Sequence, residues 1–310
     1  MGLVRPPGIA SLSAMVRSRP LRLLRPFCGL LVVSIGLAAG CAQVALLAPA
    51  RLSETQLGRA AANVGWATAA ELPRRSEVCA GQLVIHADFP LAEQHRLVRD
   101  LESLRADVSQ RLDLPISDEP VHLYLFEDHA RYDAFASRHF PGFPVRRAFF
   151  IETDTRLAVF APWQDRIAED LRHETTHGYV HAVVPTVPLW LDEGIAEYFE
   201  VPRSAQGRHA DHIAHLAGRL LEGTWRIDLE RLESLQSAGE LSQDHYAEAW
   251  CWVHWMLHST PERKKILQDY LADLRRDART APLSVRLTHL EGGVVNCNTV
   301  VRKYLESLAQ

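Results

Sequence analysis

The sequence predicts an α+β fold. A small mixed or antiparallel sheet leads into a helix carrying a His-Glu-x-x-His motif, and a mostly helical C-terminal half follows. Three observations predict it. Short apolar stretches with alternating polarity, bounded by turn-forming residues, lie between residues 82 and 160. The run His173-Glu174-Thr175-Thr176-His177 then falls in a segment of helical spacing after Pro162. From Ala205 onward, apolar residues recur at helical spacing without a fixed-period repeat.

The chain of 310 residues begins with a basic region, Arg5, Arg17, Arg19, Arg22 and Arg25. An uncharged stretch of 15 residues, 26–40, follows and ends in Leu37-Ala38-Ala39-Gly40-Cys41. Basic, apolar and small-residue regions in that order read as an export signal, and the run is short for a membrane span. The small residues before Cys41 resemble a bacterial lipobox. That resemblance implies cleavage before Cys41, lipidation of its thiol, and a lipoprotein held to a bacterial envelope membrane and facing the periplasm. The alternative is an uncleaved N-terminal anchor.

The expected organisation is a signal over 1–40, a tether with a first helix over 41–78, a catalytic α+β core over 79–203, and its helical continuation over 204–310. Removing residues 1–40 deletes five arginines and no acids, which takes the formal charge from −4 to −9. A mildly acidic domain with scattered cations is a poor candidate for nucleic-acid binding. Beyond Cys41 the remaining cysteines are Cys79, Cys251 and Cys297. Three thiols allow one disulfide with one left over, and none has the close spacing of a structural zinc site.

Within the core, residues 82–87 alternate like a strand, 91–112 have helical spacing, and 121–126 read as a second strand. A helical stretch near 131–138 follows. Residues 148–151 and 156–160 flank Glu152-Thr153-Asp154-Thr155, which reads as a hairpin. A second helix is expected after Pro185 and Pro188, over Leu189-Trp190-Leu191-Asp192-Glu193-Gly194-Ile195-Ala196-Glu197-Tyr198-Phe199-Glu200.

The spacing of the motif carries the chemistry. Residues four apart share a helix face, so the imidazoles of His173 and His177 can reach one metal ion. Glu174, beside the first imidazole, is carried toward the ion's open position, where it can take a proton from water. Two histidines leave a tetrahedral zinc one protein ligand short, and a carboxylate from a packed second helix is a common third. His181 does not qualify, because three successive histidines on one face of a straight helix point along a line.

The segment 171–199 resembles the gluzincin metallopeptidases, in which a Trp-Leu-x-Glu-Gly-x-Ala-x-Tyr segment supplies the third ligand; it is similar to the peptidase MA-like group of bacterial envelope proteins. The resemblance implies His173, His177 and Glu193 as ligands to one zinc per chain, and Glu174 as general base. Fifteen residues separate His177 from Glu193, fewer than in the aminopeptidase branch. Glu197, one turn after Glu193, reads as the acceptor behind a ligand imidazole, with ligation as its alternative role. The order strand, helix, strand, helix, hairpin, active-site helix resembles the gluzincin sheet subdomain, which implies residues 156–160 as the edge strand that holds an extended peptide beside the zinc; an ordinary edge strand is the alternative.

In the C-terminal half, His209, His212 and His215 drift around a helix at their three-residue spacing and read as a solvated face. Ser242 suits an N-cap for a helix over 242–259, with Tyr246, Trp250, Val253 and Leu257 as its apolar stripe. Tyr246-Ala247-Glu248-Ala249-Trp250 resembles the gluzincin helix whose tyrosine donates to the oxyanion; packing in the core is the other reading of Tyr246. The resemblance implies zinc-dependent hydrolysis of peptide bonds in a peptide or protein substrate. No Gly-x-Met-Glu-Asn segment of the aminopeptidase branch precedes the motif, which favours an endopeptidase. The alternatives are an inactive peptidase-like scaffold and a zinc amidase acting on a non-protein envelope substrate.

Overall fold

Five short apolar segments pair into one mixed sheet, and the helices pack on it and on one another. A computed structural model describes residues 71–141 and 146–310, with the backbone of Ala14–Met15. Apart from Ala14–Met15, the expected signal, Cys41 and most of the tether lie outside the described residues. The sheet opens with β1 (Ser76–Ala80) and β2 (Leu83–Ala87), a hairpin that turns at Gly81, whose φ of 59° is left-handed. Helix α1 (Arg96–Leu112), strand β3 (Val121–Phe126) and helix α2 (His129–His139) follow. The second hairpin is β4 (Phe149–Thr153) and β5 (Arg156–Pro162). The sheet therefore begins at Ser76, before the boundary expected at residue 79.

After β5 the chain is mostly helical. Its helices are α3 (Ile167–His181), α4 (Leu189–Glu200), α5 (Ala210–Leu221), α6 (Leu229–Ser234), α7 (Gln243–His258), α8 (Pro261–Arg276), α9 (Leu283–Glu291) and α10 (Val294–Leu308). By residue, helix makes up 57% of the described residues. Ser242 caps α7 as its sequence suggests, its backbone N–H donating to Nδ1 of His245 at 3.0 Å.

The strand order is β4-β5-β3-β2-β1. The β2/β3 and β3/β5 pairs are parallel, while β1/β2 and β4/β5 are antiparallel. This corrects one expectation. Residues 156–160 do not form an edge, because Leu157–Pro162 pairs in parallel with Val121–Phe126 on the side away from the hairpin. The unbroken apolar run from Leu157 to Ala161 suits a strand covered on both faces. On that side β4 is the outermost of the five strands, and Ala14–Met15 pairs in parallel with its Ile151 and Glu152.

Alternation divides the sheet between two cores. Leu83, Ile85, Leu123, Phe150, Leu157 and Val159 face α1 and α3 in the larger core. Tyr124, Phe126, Phe149, Ile151 and Phe160 face the opposite way and pack with Tyr132 and Phe135 of α2. Cys251 and Cys297 are buried and Cys79 is exposed; all three are unpaired, so the disulfide that their number allows does not form among them. Among the described residues, no helix is long and apolar enough to cross a membrane.

Two glycines set how closely the central helices approach their neighbours. A Cβ at Gly178 of α3 would stand 2.7 Å from Cγ1 of Val121, and one at Gly194 of α4 would stand 2.6 Å from the backbone oxygen of Ala249 in α7. Gly218 of α5 has open space around the same position. Gly194→Ala is therefore expected to destabilise the fold by roughly 1–3 kcal/mol through overpacking. Gly218→Ala should stabilise it by about 0.5–1 kcal/mol through helix propensity. Thermal melts of both variants check this, and equal shifts would contradict the backbone contact at Gly194.

Candidate metal centre

The contact between α3 and α4 decides which groups meet. Along α3, His173, His177 and His181 recur every four residues on one face, and all three are buried. They meet α4 in reverse order, His173 at Glu200 and His177 and His181 at Asp192, so the two helices run antiparallel. Between them lies Glu193, fully buried. Its Oε2 stands 3.5 Å from Nε2 of His173 and 3.8 Å from Nε2 of His177. The three ligating atoms lie within 4.8 Å of one another.

A carboxylate stands on the far side of each imidazole. Nδ1 of His173 lies 2.8 Å from Oε2 of Glu200, and Nδ1 of His177 lies 3.0 Å from Oδ1 of Asp192. An ionised carboxylate only accepts, so Glu200 holds the proton of His173 on Nδ1, with Nε2 toward Glu193; Asp192 stands at ion-pair distance from His177, whose Nδ1 makes no hydrogen bond. Neither Nε2 atom makes a hydrogen bond. Two unpartnered imidazole nitrogens and one carboxylate converge here, each imidazole backed by a carboxylate. That donor set fits a zinc ion.

Asp192 also accepts from Nε2 of His181 at 3.0 Å, and Nδ1 of His181 lies 2.8 Å from Oε2 of Glu152 on β4. Burial alone would lower the pKa of His181, but Asp192 and Glu152 outweigh it and push it up to about 10. Burial would likewise raise Asp192, yet His177 and His181 hold it well below the usual carboxylate range. His177, His181 and Asp192 could also hold a metal by proximity. Both oxygens of Asp192 already face an imidazole, however, and His181 lies between two acids.

The other expected residues fall around this point. Glu174 is buried on α3 and acts electrostatically on Tyr132 and on Asp170, which burial pushes up to about 6 despite Arg147 at 2.7 Å. Tyr246 is buried at the start of α7, where the charges of Glu193 and Glu197 act on it and its hydroxyl is hydrogen-bonded to Arg146. Glu197 does not take the expected place behind a ligand imidazole. Its Oε2 lies 2.7 Å from Nε2 of His212, and Glu200, two turns after Glu193, occupies that place at His173. Position i+7 lies on nearly the same helix face as i, and the crossing of α4 over α3 brings the later turn to His173.

His209 and His212 correct the expectation of a solvated face. Both are buried, and their rings stack with centroids 3.8 Å apart. Nε2 of His209 reaches Oε1 of Glu200 at 2.7 Å. Only His215, half-buried against Asp244 at 2.7 Å, stays near the surface. Asp192, Glu200, His209 and His212 are thus the buried neighbours of this centre that spacing alone missed. A signal existed for the two acids, since Asp192 adjoins Glu193 and Glu200 shares its face. None existed for the histidines, whose burial depends on how α5 docks.

Residues 167–283 match the model of a family described as a protein of unknown function, DUF1570. The matched span runs from the start of α3 to the start of α9, and so includes every element of the centre except the sheet. No curated protein matches the chain.

The raised pKa of His181 has a consequence for stability. The unfolded imidazole titrates near 6.5 and the folded one near 10, so the folded state binds the proton more tightly. Its contribution is fully present below about pH 6.5 and is lost as the pH rises through about 10. Thermal melts from pH 6.5 to 10 should show that loss in the wild type and a flatter profile in His181→Gln. Parallel profiles would contradict a charged His181 between Asp192 and Glu152.

Proposed function

We propose that the chain is a zinc-dependent hydrolase that cleaves peptide bonds, acting as an endopeptidase of the gluzincin type. One observation carries this reading: the convergence of two unpartnered Nε2 atoms with the Glu193 carboxylate, on the helix that also bears Glu174. His173, His177 and Glu193 would hold the ion. When bound, zinc supplies Lewis acidity, which polarises a carbonyl and makes water a stronger acid.

The remaining work falls to the chain's own groups. Glu174 takes the proton of the attacking water and delivers it to the leaving amine. Tyr246 donates its hydroxyl hydrogen to the carbonyl oxygen as charge develops there, with the Arg146 guanidinium beside it adding positive potential. Strand β4 supports an extended substrate once its outer side is free, since it is the outermost of the five strands and its Phe150 lies 5.9 Å from the His177 ring, centroid to centroid. Residues Ala14–Met15 pair with that same edge. Cleavage before Cys41, as the lipobox resemblance implies, would clear them from it.

Glu174→Gln keeps the shape of the side chain and removes the base. Zinc content should be unchanged while turnover of a quenched-fluorescent peptide mixture falls about a hundredfold or more. Tyr246→Phe should lower turnover about ten- to a thousandfold with little change in KM, and should barely move the melting temperature. Undiminished hydrolysis by Glu174→Gln would place the activity elsewhere.

A further inference from the structure

Behind the centre lies a second cluster, Glu197 and Glu200 from the end of α4 with His209 and His212 from the start of α5, whose ligating atoms also lie within 4.8 Å of one another. Its protons argue against an ion. Ionised carboxylates only accept, so the Nε2 atoms of both histidines, each 2.7 Å from a carboxylate oxygen, must donate. Nδ1 of His209 accepts the backbone N–H of His212 at 3.3 Å, which fixes the His209 proton on Nε2. Ligation through Nε2 needs the opposite tautomer, with the proton on Nδ1. Nδ1 of His212 is buried with no partner to receive such a proton. The cluster is a hydrogen-bonding network.

We propose that His209 is a positioning residue for the zinc centre, acting through Glu200 on the ligand His173. Glu200 turns one oxygen to each imidazole: Oε2 faces Nδ1 of His173 at 2.8 Å, and Oε1 accepts from Nε2 of His209 at 2.7 Å. A glutamate at the end of a helix has three side-chain torsions, and one hydrogen bond leaves the carboxylate free to turn about the others. The second bond pins it. His209 is itself fixed as the N-cap of α5, where its Nδ1 accepts the backbone N–H of His212. A chain of three side chains thereby ties the orientation of His173 to the first turn of α5. Partners behind a ligand imidazole set metal affinity by holding the ring in its ligating orientation.

His212 provides an internal control. It too is buried, stacks on His209 and bonds a carboxylate, but that carboxylate is Glu197, which bonds His212 and not a ligand imidazole. If His209 acts only by packing, the two histidines should behave alike.

The inference rests on the zinc reading, and competition of the full chain with a zinc chelator tests both. The wild type should bind zinc. His209→Leu should raise the zinc Kd about ten- to a hundredfold. His209→Gln, whose amide can donate to Glu200, should recover most of that loss, and His212→Leu should leave the Kd near the wild-type value. If His209→Leu does not fold, His209→Asn takes its place, its amide being too short to reach Glu200. Equal losses in the His209 and His212 variants, or no recovery in His209→Gln, would overturn the positioning role alone. A wild type that binds no zinc would overturn the zinc reading, and the positioning role with it.

Discussion

The structure depends on one constraint: a buried ionisable group must meet a partner of opposite character. Asp170, His173, Glu174, His177, His181, Asp192, Glu193, Glu197, Glu200, His209 and His212 are all buried within a few helical turns of one another. Removing an ion from water costs several kcal/mol unless a counter-charge and hydrogen bonds offset it. The antiparallel register of α3 and α4 supplies those partners by setting a row of histidines against a row of acids. A parallel register would place His173 beside the start of α4 and leave Glu200 and Asp192 at the wrong imidazoles. The fold around the two helices serves that register, with Gly178 letting α3 settle on β3 and Gly194 letting α4 settle on α7.

Against that pairing, the exception is informative. Each Nδ1 of the two motif histidines faces a carboxylate, yet their Nε2 atoms make no hydrogen bond although both rings are buried. Buried polar atoms without partners cost free energy, and native proteins rarely retain them without a ligand or a function to account for them. A metal ion is the simplest group that takes two imidazole lone pairs and one carboxylate together. The chemistry proposed for this centre would take place where β4 adjoins α3.

Much of this arrangement was legible in the sequence, for reasons of period. The four-residue spacing of His173 and His177 needs only a helix to place both rings on one face. Glu193 needs a second helix packed on the first, which the prolines before it suggest. The α+β order and the hairpin followed from short alternating runs. What could not be read depends on relations between segments distant in the chain. Residues 156–160 look like an edge until β3 pairs with their outer side. Glu197 and Glu200 share a face, and only the crossing of α4 over α3 decides which one reaches His173. His209 and His212 have the three-residue spacing of a solvated face, but the docking of α5 buries them against α4. The stack that joins them is a tertiary contact with no local signature.

Anomalous diffraction from crystals of the zinc-loaded chain, collected on either side of the zinc absorption edge, tests the centre most directly. Expected is a single strong peak about 2.0–2.2 Å from Nε2 of His173, Nε2 of His177 and a carboxylate oxygen of Glu193. A peak among Glu197, Glu200, His209 and His212, or none at the motif histidines, would contradict it.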